Sequence, residues 1–130
     1  MILLDTHAIV FDAIAPERLS GRAARTIERA AADGSLACSD ISLGEIAMLA
    51  ASGRLDLGVD PTLFMDRAIQ ARALSVLPIT PAIAVLAQAQ PFAHGDPADR
   101  IIGATALHHR AKLVTADERL HGLKGLTAIW

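Results

Sequence analysis

The chain has 130 residues, with 12 basic and 14 acidic side chains and a formal charge of −2. That length fits one domain over residues 1–130 with a core of its own, and the slight acidity argues against indiscriminate nucleic-acid binding. It does not exclude a nucleic-acid substrate, because bound divalent cations reverse the sign of an acidic pocket.

The single cysteine, Cys38, rules out an internal disulfide; in its apolar run it reads as a buried, inert thiol suited to a reducing cytoplasm. The start, MILLD, has no basic leader, and no stretch approaches the roughly 20 apolar residues of a membrane span, so a cytoplasmic protein without membrane contact is expected. Hydrophobic residues make up 52% of the chain but aromatics only 3%, so alanine and leucine must carry the core. Such an excess of small apolar residues leaves some on the surface, which points to an oligomer or a partner groove.

Ile2 to Leu4 is an apolar run ending in Asp5, the pattern of a buried strand. Thr6 to Ala15 accommodates a short helix stopped by Pro16. Ser20 caps a helix ending near Gly34, with Ala23, Ala24, Ile27, Ala30 and Ala31 on one face. Arg18, Arg22, Arg25 and Arg29 fall at helical spacing on another, either a solvated face or a track for phosphate or a partner. Leu36 to Ser39 is a second strand. Ser42 then opens a helix that Gly53 ends, and Ser42 with Glu45 spells a capping box. Asp60-Pro61 starts a helix to about Ala73. Ser75 to Ile79 is a third strand, and Thr80-Pro81 opens a helix to about Gln90. A loop over Pro91 to Gly95 leads to Asp96-Pro97, which starts a long helix to about Arg110. Leu113 to Thr115 is a fourth strand, a short helix follows Asp117, and Thr127 to Trp130 is a fifth strand. Strands alternate with crossovers too long for hairpins. The expected fold is therefore α/β, a three-layer α/β/α sandwich on a four- or five-stranded parallel sheet.

In an open parallel sheet, sites form beyond the carboxyl ends of the strands. Asp5 and Asp117 follow strand ends, while Glu45 and Asp99 lie in the first turns of helices leaving that same edge. The β/α register thus gathers four carboxylates from distant parts of the chain. Each also has a structural reading: Asp5 as a strand end, Glu45 in the capping box, Asp99 favouring its helix dipole, Asp117 as a cap. Their joint placement favours a site. Carboxylates roughly 5 Å apart, at an effective dielectric near 20, repel by about 3 kcal/mol per pair, so a cation belongs among them. Oxygen ligands without His or Cys select Mg2+ or Mn2+ over zinc, and such ions serve phosphodiester hydrolysis. Among the histidines, His7 lies near enough to Asp5 to touch substrate, His94 to orient the helix start at Asp96, and His108-His109 read as a polar helix end. Trp130 reads as packing for the last strand.

The segments LLDTHAIVF, SDISLGEIAMLAASGRL, HGDPADRIIGATAL and LVTADERL, with the terminal AIW, resemble the PIN-domain toxins of VapC type, in order along essentially the whole chain. The resemblance implies a PIN-like α/β/α sandwich and a metal-dependent endoribonuclease, usually dimeric. It also implies a toxin held by a cognate antitoxin, with operator DNA reached only through that antitoxin. It carries metal-binding roles to Asp5 and Asp99, with Glu45 and Asp117 completing the acidic site, and makes Asp96, Thr115 and Arg100 auxiliary. Gly44 departs from the bulkier residue usual before this glutamate, which loosens packing there but removes no acid. Two other classes compete. A phosphoaspartyl enzyme or receiver domain also places an aspartate after strand one, but the phosphatase version wants an acid where His7 stands. The receiver version wants a lysine beyond a late strand, which Lys112 and Lys124 fit poorly. A non-catalytic PIN-like partner-binding module would retain the fold without needing all four acids.

Overall fold

A computed structural model describes residues 1–89 and 95–130; the expectations placed on His94 and on most of the loop before Asp96 lie outside the described residues. Five strands, β1 (Ile2–Leu4), β2 (Leu36–Ser39), β3 (Ser75–Leu77), β4 (Lys112–Val114) and β5 (Ala128–Ile129), form one sheet in the order β3-β2-β1-β4-β5. Every pairing is parallel. Helices α1 (Thr6–Ile14), α2 (Gly21–Asp33), α3 (Ile41–Ala51), α4 (Pro61–Arg72), α5 (Pro81–Leu86), α6 (Pro97–His109) and α7 (Glu118–His121) make the crossovers, with a 3-10 turn at Pro16–Arg18.

Successive strand residues face opposite ways, and two helical layers use this. Leu4, Leu36, Cys38 and Val114 pack with Ala8, Ile9, Ala23, Ile27, Ile46 and Phe64 on one side. Leu3, Ala37 and Leu113 meet Ile102, Ala106 and Leu120 on the other. A smaller cluster of Ile83, Ala87, Ala104 and Leu123 joins α5 to α6. The expected sandwich is thus present, with the small-residue core that the composition requires. Cys38 is fully buried, and burial pushes its thiol up to about 11, with Asp40 adding to the shift.

Helix starts follow local chemistry. Ser20, Asp60, Thr80, Asp96 and Asp117 each accept a hydrogen bond from a backbone N–H of the turn they begin. The third helix departs from expectation: α3 starts one residue earlier, at Ile41, and Ser42 is not its cap. Ser42 is buried instead and accepts a hydrogen bond from the Thr6 hydroxyl at 2.9 Å. Strand ends also differ by a residue or two, with β3 stopping at Leu77 and β4 running from Lys112 to Val114, and helix α5 ends at Leu86, four residues before the expected Gln90. Arg18 belongs to the 3-10 turn and not to α2, so the arginine face is shorter than its spacing suggested.

Among the described residues, the two ion pairs both involve Arg72. Its guanidinium makes two 2.9 Å bonds to Asp12 on α1 and one of 2.7 Å to Glu28 on α2. The Asp12 bonds raise its proton affinity most, and the exposed Glu28 carboxylate titrates low beside it.

Candidate functional site

Strand register sets the site. Leu4 pairs with Cys38 and with Val114, so Asp5, Ser39 and Thr115 leave the sheet at one level. The Asp5 amide donates to the Val114 carbonyl at 3.0 Å, which extends the ladder one step and turns the aspartate over the edge. Asp5 is only 6% exposed. One carboxylate oxygen accepts from the Thr6 amide at 2.6 Å, and the other from the Thr115 hydroxyl at 2.6 Å. Thr115 also accepts from the Asp117 backbone amide at 3.0 Å, so one hydroxyl joins the Asp5 carboxylate to the backbone at Asp117. A nitrogen of the His121 ring lies 2.6 Å from the Thr115 carbonyl and braces the same residue from α7.

Across the edge, Glu45, Asp96 and Asp99 each bring a carboxylate oxygen within 4.8 Å of the others. Glu45 Oε1 is buried without a hydrogen-bond partner among the described residues. Burial raises the Glu45 pKa; the nearby Thr6 hydroxyl and His7 ease its charge, while Asp5 and Asp96 oppose it. Burial likewise raises Asp5; the bonds from Thr115 and Thr6 and the proximity of His7 lower it, and Asp117 adds repulsion. Desolvation outweighs hydrogen bonding at both acids, which means water has been removed without a full set of donors replacing it.

Of the residues expected at the site, Asp5, Thr115 and Asp117 form one hydrogen-bonded arm, and Glu45, Asp96 and Asp99 form the other. The two arms meet through the repulsion between Asp5 and Glu45. Asp96 does two things at once: it caps α6 through the Ala98 amide at 2.9 Å and belongs to the acidic group. Arg100 turns its Nε to the Ala87 carbonyl at 3.0 Å and so ties α6 to the end of α5. Thr6 and His121 did not stand out in the sequence, and Ser42 was read only as a helix cap. The signal available for Thr6 and Ser42 was a pair of polar residues on the inner faces of otherwise apolar helices. Nothing local pointed to His121.

The donor set fits a hard divalent cation. All the ligand atoms are carboxylate oxygens, no His or Cys stands in the group, and the unpartnered Glu45 oxygen is the kind of buried acceptor a cation satisfies. Both Asp5 oxygens already accept one protein bond each, which leaves each with further acceptor capacity.

Comparison with known proteins agrees with the architecture. Ribonuclease VapC22 of Mycobacterium tuberculosis is 39% identical over 120 residues, covering 92% of this chain and 88% of that one. Among solved structures, VapBC2 from Rickettsia felis bound to a DNA fragment from their promoter superposes with a TM-score of 0.72 at 18% identity, over 98% of this chain and 97% of that one. FitAcB from Neisseria gonorrhoeae gives a TM-score of 0.63 at 22% identity, over 98% and 96%. These likenesses extend along the whole sheet, and the family model for the PIN domain matches residues 2–126: the chain belongs to the PIN domain family.

Proposed function

We propose that this chain is a Mg2+- or Mn2+-dependent endoribonuclease, the toxin of a toxin–antitoxin pair. The observation that carries the chemistry is the meeting of Glu45, Asp96 and Asp99 oxygens within 4.8 Å, beside the buried Asp5. The similarity to ribonuclease VapC22 supports RNA as the substrate.

In this reading Asp5, Asp99 and Asp117 would hold the metal, with Asp96 and the Glu45 oxygen that lacks a partner among the described residues as auxiliary ligands. The bound ion would polarise the scissile phosphate and lower the pKa of an attacking water. The chain's own residues prepare the ground. The Thr115 hydroxyl fixes the Asp5 carboxylate and anchors the Asp117 backbone, while the Arg119 amide holds the Asp117 carboxylate. Glu45, with its raised proton affinity, holds or gives up a proton nearer neutral pH than an ordinary glutamate does.

The partners follow from the surface. No helix among the described residues is long and apolar enough to cross a membrane; the assignment of the toxin to the cytoplasm rests on its likeness to ribonuclease VapC22. A mostly apolar hollow of about 480 Å3 lies between α1 and α4, lined in part by Ile14, Val59 and Phe64. Ile14 and Val59 remain exposed at its mouth. Such a face suits an apolar segment of a cognate antitoxin. VapBC2 from Rickettsia felis, which shares the fold, is bound to a fragment of its promoter; for this chain we assign operator DNA to the antitoxin and not to the toxin itself. A homodimer completes the assignment.

The direct test is cleavage of a panel of RNAs with Mg2+ or Mn2+. Cleavage should vanish in excess EDTA and return on adding the metal; full activity in EDTA would overturn the assignment.

A further inference from the structure

The edge of the sheet opposite the acids carries the reverse charge. Ile2 pairs with Lys112, so Lys112 stands at the start of β4, a strand's length from Thr115. Beside it lies a hollow of about 450 Å3 whose lining includes Arg22 and Arg29 from one face of α2, Arg110 from the end of α6, and Lys112. Asp33 is the one carboxylate in that lining. All four cations are exposed, and the ion pairs among the described residues belong to Arg72 instead. Four such cations around one concavity, in a chain of net charge −2, focus a positive potential there.

A row of planar groups runs from the acidic edge to the end of β5, where Ile129 lines this hollow. His7 lies two residues past Asp5, with its ring 5.9 Å from that of Phe11. Phe11 meets Trp130 edge-on at 6.5 Å and lies under the Arg18 guanidinium at 4.3 Å. Ile129, next to Trp130, lines the hollow, and Arg22 follows Arg18 by four residues. Phe11 and Trp130 are half-buried, while His7 and Arg18 are exposed and open to stacking.

We infer that single-stranded RNA entering the acidic site continues over His7, Arg18 and Trp130, and that its phosphates are held in the hollow by Arg22, Arg29, Arg110 and Lys112. The inference rests on the ribonuclease reading and adds a second anchoring point for the same substrate. At about 3.3 Å per strand residue, Lys112 and Thr115 put the two edges roughly 10 Å apart, a distance a few nucleotides of extended strand cover. The unbroken row of planar groups favours nucleic acid over an acidic peptide, which would have no use for ring faces. Phosphates bound by arginine and lysine also need no base identity, so the hollow adds affinity without adding sequence preference.

The test is the steady-state kinetics of the Arg29→Gln/Lys112→Gln double variant on RNAs of increasing length. Lys124→Gln, beside Leu123 in the cluster that joins α5 to α6, serves as the control, and thermal melts verify that each variant is folded. The double variant should raise KM several-fold on long RNA, with the effect shrinking as the substrate is cut back to the few nucleotides around the scissile bond. The slope of log affinity against log salt should fall by about 0.7 for each phosphate that the variant no longer neutralises. Lys124→Gln should match wild type. If wild type cleaves RNA but the double variant has the same KM and salt slope, the anchoring point does not exist. If the double variant instead binds the antitoxin more weakly while its KM for RNA is unchanged, the hollow is a protein-binding surface and the inference is overturned. Failure of wild type to cleave any RNA with Mg2+ or Mn2+ would instead strike at the ribonuclease reading itself.

Discussion

Asp96 and Asp99 begin the same helix but differ in what surrounds them. Asp96 is a cap and a member of the acidic group together, whereas Asp99 projects from the first turn. Asp96→Asn should keep the cap, since Asn and Asp cap about equally, and should cost only a few tenths of a kcal/mol. Cleavage should then weaken chiefly through a higher metal requirement. Asp99→Asn removes a proposed ligand and a repelling charge, so the metal-free protein should be at least as stable as wild type. Its melting temperature should rise less with Mn2+, and cleavage should fall to background. Calorimetric melts with and without Mn2+, beside RNA cleavage, check all of this. Near-normal cleavage by Asp99→Asn with none by Asp96→Asn would show the two roles reversed.

The raised acids also predict a pH dependence. In the metal-free protein, Asp5 and Glu45 bind protons more tightly when folded than when unfolded. Their contribution to stability is therefore fully present below the ordinary carboxylate range and is lost as pH rises through their raised values. Asp5→Asn should remove part of that loss. The measurement is denaturant unfolding from pH 4 to 8 in EDTA, read as the difference between variant and wild type so that other carboxylates cancel. A constant difference across the range would mean Asp5 titrates normally. The acids themselves were legible in the sequence because each follows a strand end or opens a helix. Thr115, the hydroxyl on Asp5, was named through the family resemblance; the Thr6 to Ser42 bond was not legible, because it crosses between elements far apart in the chain.

At the scale of elements, the sequence showed where helices begin but misassigned what one of them does with its serine. Ser20, Asp60, Thr80, Asp96 and Asp117 announce their helices because an N-cap is a local device, satisfied within a turn. Ser42 has the same spelling, yet its hydroxyl faces α1 and joins the starts of two helices. The two partners should respond differently to mutation. Ser42→Ala removes an acceptor only, and the Thr6 proton then turns to the buried Glu45 oxygen, so the cost should stay below about 1 kcal/mol. Thr6→Val leaves the buried Ser42 hydroxyl without its donor and removes the polar group beside Glu45, and should cost about 1–3 kcal/mol with slower cleavage. Urea unfolding of the two variants distinguishes this link from a capping box, in which Ser42→Ala would be the costlier change.

For the molecule as a whole, the parallel sheet was legible because buried parallel strands read as short continuous apolar runs separated by helices. The exact strand ends were not, since the register of neighbouring strands decides where a ladder stops. Surface apolar residues were anticipated from composition, and Ile14, Met48, Val59, Leu63 and Val85 are exposed. A chain carrying these should be a dimer at micromolar concentration by light scattering and should bind its antitoxin tightly enough to suppress cleavage. A strict monomer would remove the dimer from the assignment, and an antitoxin complex that leaves the hollow between α1 and α4 open would move the docking surface elsewhere.

The order of the strands has a consequence during synthesis. β1 is made first, yet one of its two neighbours, β4, arrives only after most of the sequence has been translated. Until Lys112–Val114 leaves the ribosome, β1 has an open edge, and Asp5 lacks both the Thr115 hydroxyl and the company of Asp117. A chain that ends before β4 would therefore hold only part of the proposed metal site, with the Thr6 amide alone on Asp5.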